Sequence, residues 1–138
     1  MQREDYVMRL IAQLAEAVRR ITGRRREGDS AGSLDEARRA WDDVLGVPRE
    51  LVEVTDTATL AGLLREPMKW RAAAELLAEE ARTLAGHGDP VHASVLYRRA
   101  LELALEARAA DPQPGDDATI LELSRFVSAH QLAPQYRS

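Results

Sequence analysis

Apolar residues recur at intervals of three and four positions along most of this chain, and that spacing restricts what it can fold into. Near the beginning the series is Val7, Leu10, Leu14, Ala17 and Ile21, and the same interval returns in residues 70–84 and 93–107. Such spacing places apolar side chains on one face of an α-helix. Runs of β-branched and aromatic residues that alternate with polar ones, typical of strands, are absent. The sequence therefore predicts an all-α domain of about five to seven helices, with no sheet.

Capping residues and glycines divide the first half of the chain. A first helix is predicted over residues 3–22, followed by Gly23 and by a polar, basic loop over residues 24–32. Ser33 and Glu36 have the spacing of a capping box, in which each side chain binds a free backbone N–H of the other. We therefore expect a second helix from Ser33 to about residue 45, and two short helices over residues 48–54 and 58–65.

Prolines and aspartates mark the helices of the second half. Pro67 opens a long helix that ends at residues 86–88, and Asp89 caps another helix that continues to about residue 110. A linker over residues 111–116 leads to a last helix through about residue 130. The prediction is a single helical domain over residues 1–132 and a frayed tail over residues 133–138.

Composition narrows the class of protein. The chain has 138 residues, of which 45% are hydrophobic and 30% are charged, the balance of one soluble globular domain. It has no cysteine, which excludes disulfides, thiolate metal sites and a cysteine nucleophile. The opening residues carry acids and lack the apolar core of a secretory signal, so we expect a cytoplasmic protein.

Two stretches share one internal pattern, an alanine followed by an aromatic ring four residues later. The pattern occurs at Ala37 and Trp41 and again at Ala93 and Tyr97, each after a glycine and a polar residue. This spacing resembles the second helix of a tetratricopeptide repeat. The resemblance is fuller in residues 74–107, where the preceding helix also fits. It implies paired helices and a groove lined by Glu75, Ala78 and Arg82.

A second resemblance covers nearly the whole chain. The opening Arg-Glu-Asp-Tyr-Val-Met-Arg-Leu-Ile of residues 3–11, the segment at residues 34–37 and the stretch over residues 88–103 together resemble a small bacterial family of uncharacterised, tetratricopeptide-like helical proteins. The resemblance implies the fold, and it implies no activity, cofactor or partner.

An arginine-rich segment closes the first helix. Residues 1–26 contain seven arginines and three carboxylates, although the formal net charge of the whole chain is −4. The arginines have three interpretations. In the first, they complement the negative end of the helix and keep a loop soluble. In the second they contact a protein or a second copy of the chain, and in the third they bind nucleic acid or another polyanion. The pI of about 5.4 and the scarcity of aromatic residues argue against nucleic acid.

Signals for catalysis or for a bound cofactor are weak. The three histidines do not have the spacing of metal ligands. Residues 23–30 superficially resemble a phosphate-binding loop, but the lysine that this loop requires is replaced by Asp29. No catalytic, metal or cofactor residue is predicted.

Paired acids and large aromatic rings have ordinary interpretations. Glu79 and Glu80 are adjacent, as are the two aspartates at residues 42–43. Neighbouring residues point in different directions on a helix, so both pairs are predicted to be solvated charges. The rings of Trp41, Trp70 and Tyr97 fall on apolar stripes and are predicted to belong to the core.

These observations favour a non-enzymatic protein-protein interaction or scaffold module. Its partner would be an unidentified protein or a second copy of the chain, bound through the first or the terminal helix. The alternative is a small regulatory protein that binds nucleic acid or another polyanion through the segment Arg19 to Arg26. The candidate partner-binding residues are Arg19, Arg20, Arg24, Arg25, Arg26, Glu75 and Arg82.

Overall fold

The computed structural model describes residues 3–137, and all of its regular structure is helical. The α-helices, in chain order, are α1 (Arg3–Arg26), α2 (Ser30–Leu45), α3 (Leu51–Val54), α4 (Thr57–Leu64), α5 (Pro67–Gly86), α6 (Pro90–Ala110) and α7 (Asp116–Leu123). Two short 3-10 helices follow, Ala129–Gln131 and Pro134–Tyr136. No strand occurs within this part of the chain. The prediction of an all-α fold is confirmed.

Helix α5 is the central element of the packing. It packs against α6 and α2 and also contacts α1, while α1 packs on α2 and α6 packs on α7. Ala72, Ala73 and Ala81 on α5 are almost completely buried, and their small side chains allow the neighbouring helices to approach closely. The short helix α4 covers part of α5 and α6. Helices α1, α5 and α7 all contribute to a cleft on one side of the molecule.

The predicted starts of the central helices α5 and α6 are confirmed. Helix α5 begins at Pro67, as predicted, because proline lacks only an N–H that the first turn leaves unpaired. Helix α6 begins after Asp89, whose carboxylate accepts a hydrogen bond from the backbone N–H of His92 at 3.2 Å. The rings of Trp41 and Tyr97 are buried, and Trp70 is partly buried. The prediction that these rings belong to the core is confirmed.

The first helix is longer than predicted. It continues through Gly23 to Arg26, and the connection to α2 is three residues instead of the loop predicted over residues 24–32. Arg25 contributes to this extension, because its side chain bonds to α5 and holds the last turn in place. Gly28 then adopts a positive φ of 78°, which glycine tolerates without steric cost.

The predicted capping box at Ser33 is wrong. Asp29 caps α2 instead, and its carboxylate accepts a hydrogen bond from the backbone N–H of Gly32 at 2.8 Å. The Ser33 hydroxyl is fully buried, where it donates to the carbonyl of Ile21 at 3.1 Å and lies 2.9 Å from the hydroxyl of Thr83. Ser33 therefore joins α1, α2 and α5.

The end of the chain also differs from the prediction. Helix α7 ends at Leu123 rather than near residue 130, and the chain turns so that the Phe126 ring stacks on Tyr97 with 4.2 Å between centroids. Residues 133–137 are held against α6 where a frayed tail is predicted, because the Tyr136 hydroxyl donates to Glu106 at 2.5 Å. The rest of the predicted tail, Ser138, lies outside the described residues.

Candidate interaction groove

A cleft of about 290 Å³ opens between α1, α5 and the turn that leads into α7. We call it the groove. Its lining combines apolar and polar side chains, among them Leu14, Met68, Ala74, Glu75, Asp116 and Thr119. Helix α5, the central element of the packing, contributes Met68, Ala74 and Glu75 to this lining.

A chain of ion pairs crosses from α1 to α7 one turn beyond the groove. Arg25 of α1 lies 2.9 Å from a carboxylate oxygen of Glu79, and the other oxygen lies 2.5 Å from Arg82. Arg82 also contacts Glu122 of α7 at 3.0 Å. Burial alone would lower the pKa of Arg82, but the carboxylates of Glu79, Glu122 and Glu75 outweigh it and raise the pKa. We call these four residues the charge ladder: Arg25, Glu79, Arg82 and Glu122.

Glu75 lies on the groove side of α5 but outside the charge ladder. It is partly buried, and no described residue forms a hydrogen bond or an ion pair with its carboxylate. Its pKa is raised, chiefly by burial and next by the negative charge of Glu79. The positive charge of Arg82 lowers the pKa but does not outweigh these effects, so the fold compensates the charge of Glu75 only in part.

The arginine one turn before Glu75 is bound elsewhere. Arg71 donates to both carboxylate oxygens of Asp116, at 2.8 and 2.9 Å. It also donates to the carbonyls of Ala107 and Asp111, at 3.3 and 2.5 Å. The pKa of Asp116 is lowered, mainly by its hydrogen bond from Arg71. Arg71 thus fixes the start of α7 and leaves Glu75 without this cation.

The α1 side of the groove has an apolar rim. Ile11 and Leu14 are three residues apart and so share one face of the helix. Leu14 lines the groove, whereas Ile11 is 50% exposed. We use the name apolar rim for Ile11 and Leu14.

Glu80, the neighbour of Glu79, faces a different set of partners. It is fully buried and receives two hydrogen bonds from Arg49, at 2.8 and 2.9 Å. Arg38 lies 3.6 Å away, and Arg49 also binds Glu53 at 2.8 Å. The prediction that Glu79 and Glu80 are solvated is wrong, because arginines distant in the sequence cover both carboxylates.

The structure separates the predicted arginine segment into three groups. Arg25 turns toward α5 and, with Arg82, belongs to the charge ladder. Three others pair with carboxylates of α1, α2 and the turn between them: Arg19 with Glu16, Arg20 with Glu16 and Glu36, and Arg24 with Asp29 and Glu36. Arg26 is exposed and has no ion pair with a described residue.

Of the residues predicted to line the groove, Glu75 does so, whereas Ala78 is buried and Arg82 belongs to the charge ladder one turn beyond the cleft. The sequence did not indicate the two carboxylates of that ladder. Glu79 is four residues after Glu75 and three before Arg82, so helical spacing alone places it near that face. Glu122 could not be found in this way. Its contact with Arg82 spans 40 residues and depends on how α7 packs.

The described residues contain no obvious metal site. Among residues 3–137, no group of three or more His, Cys, Asp or Glu side chains is arranged to hold a metal ion. In the same range, no helix combines the length and the apolar character that crossing a membrane requires.

The groove must be interpreted from its own geometry. No protein-family model matches this chain, and no match is found among curated proteins or solved structures. The resemblances to tetratricopeptide repeats and to a bacterial family therefore stay predictions.

Proposed function

We propose that this protein is a non-enzymatic interaction module that binds a segment of a partner protein in the groove. One observation carries the proposal: Ile11 is half exposed and shares a helix face with Leu14, which lines an open cleft. Apolar side chains beside a cleft that contains a few polar groups are typical of sites that receive a ligand.

The order of helix packing supports a tetratricopeptide-like arrangement. Helices α1 and α2 form one pair and α5 and α6 another, and α7 packs on α6 as the first helix of a third pair would. In such an arrangement α1, α5 and α7 border the concave side. The short helices α3 and α4 between the two pairs depart from a regular repeat.

The arginine contacts favour the groove over the polyanion alternative. Ion pairs with carboxylates are formed by Arg19, Arg20 and Arg24, and Arg25 forms one with Glu79. Phosphate groups would have to compete with these internal partners. We therefore expect weak binding of nucleic acid.

Selection from a library of random peptides tests the proposal directly. The full-length chain is immobilised, and the affinity of selected peptides is measured by calorimetry. Ile11→Asp places a charge on the apolar rim, and Thr119→Trp fills the groove from α7. Each change should weaken binding by about tenfold or more. The matched control is Val54→Asp on α3, a residue that is 76% exposed and not among those that line the groove.

The same variants distinguish a partner peptide from a second copy. If the chain is a dimer by light scattering and Ile11→Asp makes it a monomer, then the second copy covers the apolar rim. Peptides that bind both groove variants as tightly as the unmodified chain would contradict the proposal.

A further inference from the structure

The groove has a surplus of negative charge that can be assigned to one residue. Four carboxylates lie on this side: Asp116 is bound by Arg71, and the other three are Glu75, Glu79 and Glu122. Both cations of the charge ladder are paired: Arg25 binds Glu79, and Arg82 binds Glu79 and Glu122. Glu75 is the carboxylate that no described cation contacts directly.

The two nearest arginines on α5 cannot supply that cation without losing other contacts. Arg71 lies four residues before Glu75, a spacing that allows an ion pair on a helix. Its guanidinium instead makes two hydrogen bonds to Asp116 and two to backbone carbonyls. Arg82, seven residues after Glu75, is held between Glu79 and Glu122. The fold therefore leaves the Glu75 carboxylate without a direct ion pair among the described residues.

The surroundings of Glu75 strengthen its attraction for a cation. Leu14, Ala74 and Ala104 line the groove near it, and its carboxylate is partly withdrawn from water. Attraction between opposite charges is stronger where water is partly excluded. A single carboxylate is a poor site for a metal ion, which needs several ligands, but it suits the side chain of a lysine or arginine.

We propose that Glu75 receives a lysine or arginine side chain of a partner segment whose neighbouring apolar residues pack on the apolar rim. This proposal rests on the proposed function, since it names the chemistry of the segment that the groove would bind. Charge complementarity at Glu75 selects a basic segment, and the apolar side chains of Ile11 and Leu14 select apolar residues beside the basic one.

The experiment compares peptides selected on two forms of the full-length chain. Random peptides are selected on the unmodified protein and on Glu75→Gln, which keeps the shape of the side chain and removes its charge. We expect lysine or arginine at one enriched position in the first set and loss of that enrichment in the second. Replacing that residue by neutral citrulline or norleucine should weaken binding about 10- to 100-fold on the unmodified chain and much less on Glu75→Gln.

A matched control removes the same charge elsewhere. Glu50→Gln changes an exposed carboxylate outside the groove, and it should preserve both the enrichment and the affinity. Thermal unfolding of each variant checks that the fold is retained.

The outcomes separate this proposal from the proposed function. If selected peptides require the groove but carry no enriched basic residue, or bind Glu75→Gln as tightly, the role of Glu75 is refuted and the interaction groove stands. If no selected peptide is sensitive to Ile11→Asp or Thr119→Trp, both proposals fail.

Discussion

Two carboxylates of α5 lie in contrasting electrostatic surroundings. Glu80 is fully buried and is held by a pair of hydrogen bonds from Arg49, with Arg38 nearby. Glu75, five residues earlier, is only partly buried and has no such partner among the described residues. Arginines lie near both carboxylates, but those near Glu75 are held by other acids, so the difference arises from placement and not from a shortage of cations. The comparison separates a charge that holds the fold together from one that remains available to a ligand.

The largest effect is expected at Glu80. Glu80→Gln leaves the buried guanidinium of Arg49 with the half-exposed Glu53 as its remaining counter-charge, and we expect the free energy of unfolding to fall by about 3 kcal/mol, the lower end for breaking a buried pair. Urea denaturation at neutral pH measures this change. A loss of unfolding free energy below about 1 kcal/mol would mean that the charge of Glu80 does not hold the fold together, and the two carboxylates would then not differ in this respect.

A double variant shows whether the loss comes from an unpaired charge. Arg49→Met combined with Glu80→Met replaces both charged groups by apolar ones, and it should recover most of the stability lost in Glu80→Gln. No recovery would mean that the pair holds the fold through packing, for example of Arg49 near the Trp41 ring at 5.8 Å.

A smaller effect is expected at Asp116, whose change alters the groove. Asp116→Asn removes the counter-charge of Arg71, and we expect a loss of about 2 kcal/mol at pH 7. Arg71 is then free to pair with Glu75, four residues later on the same helix. The variant should therefore also weaken the binding of basic peptides. Unchanged peptide affinity would show that Arg71 does not reach Glu75.

The pH dependence of this loss has a definite sign. The pKa of Asp116 in the folded chain is lowered from its usual 3.8, so its charge contributes stability above that value. This contribution disappears as the pH falls below 3.8 through the folded-state pKa. The difference in unfolding free energy between Asp116→Asn and the unmodified chain should shrink on acidification over that range. A constant difference would mean that the contact with Arg71 does not depend on the charge.

The helices that the sequence predicts accurately have strong local signals. Pro67 favours the start of α5 through its fixed backbone geometry, and Asp89 starts α6 through a hydrogen bond within the first turn. The end of α1 and the start of α2 are different. Arg25 continues its helix because it reaches Glu79, 54 residues away in sequence, and Ser33 is buried against Thr83, 50 residues away. Such contacts depend on tertiary packing and leave no local pattern.

The candidate site shows the same division. Glu75 and Arg82 are seven residues apart, so helical spacing places them on one face, and the structure has Glu75 in the groove and Arg82 in the charge ladder one turn beyond it. Helical spacing also predicts, wrongly, that the neighbours Glu79 and Glu80 are solvated. Their burial depends on Arg25 and Arg49, which lie in other elements. Which carboxylate stays unpaired is therefore visible only in three dimensions.

The smallest effect, and the only gain, is expected at Glu75. Its pKa in the folded chain is raised above the usual 4.5, first by burial and then by Glu79, so the ionised carboxylate costs stability once the pH rises above that range. Glu75→Gln removes the cost, and the free energy of unfolding should increase by less than about 1 kcal/mol at pH 7. Near pH 4 the gain should vanish, because the carboxyl group is then largely protonated in both folded and unfolded chains. Urea denaturation at the two pH values measures the difference. A loss of stability at pH 7 would mean that Glu75 has a favourable partner within the fold, and a charge already satisfied there would have little reason to attract the basic side chain of a ligand.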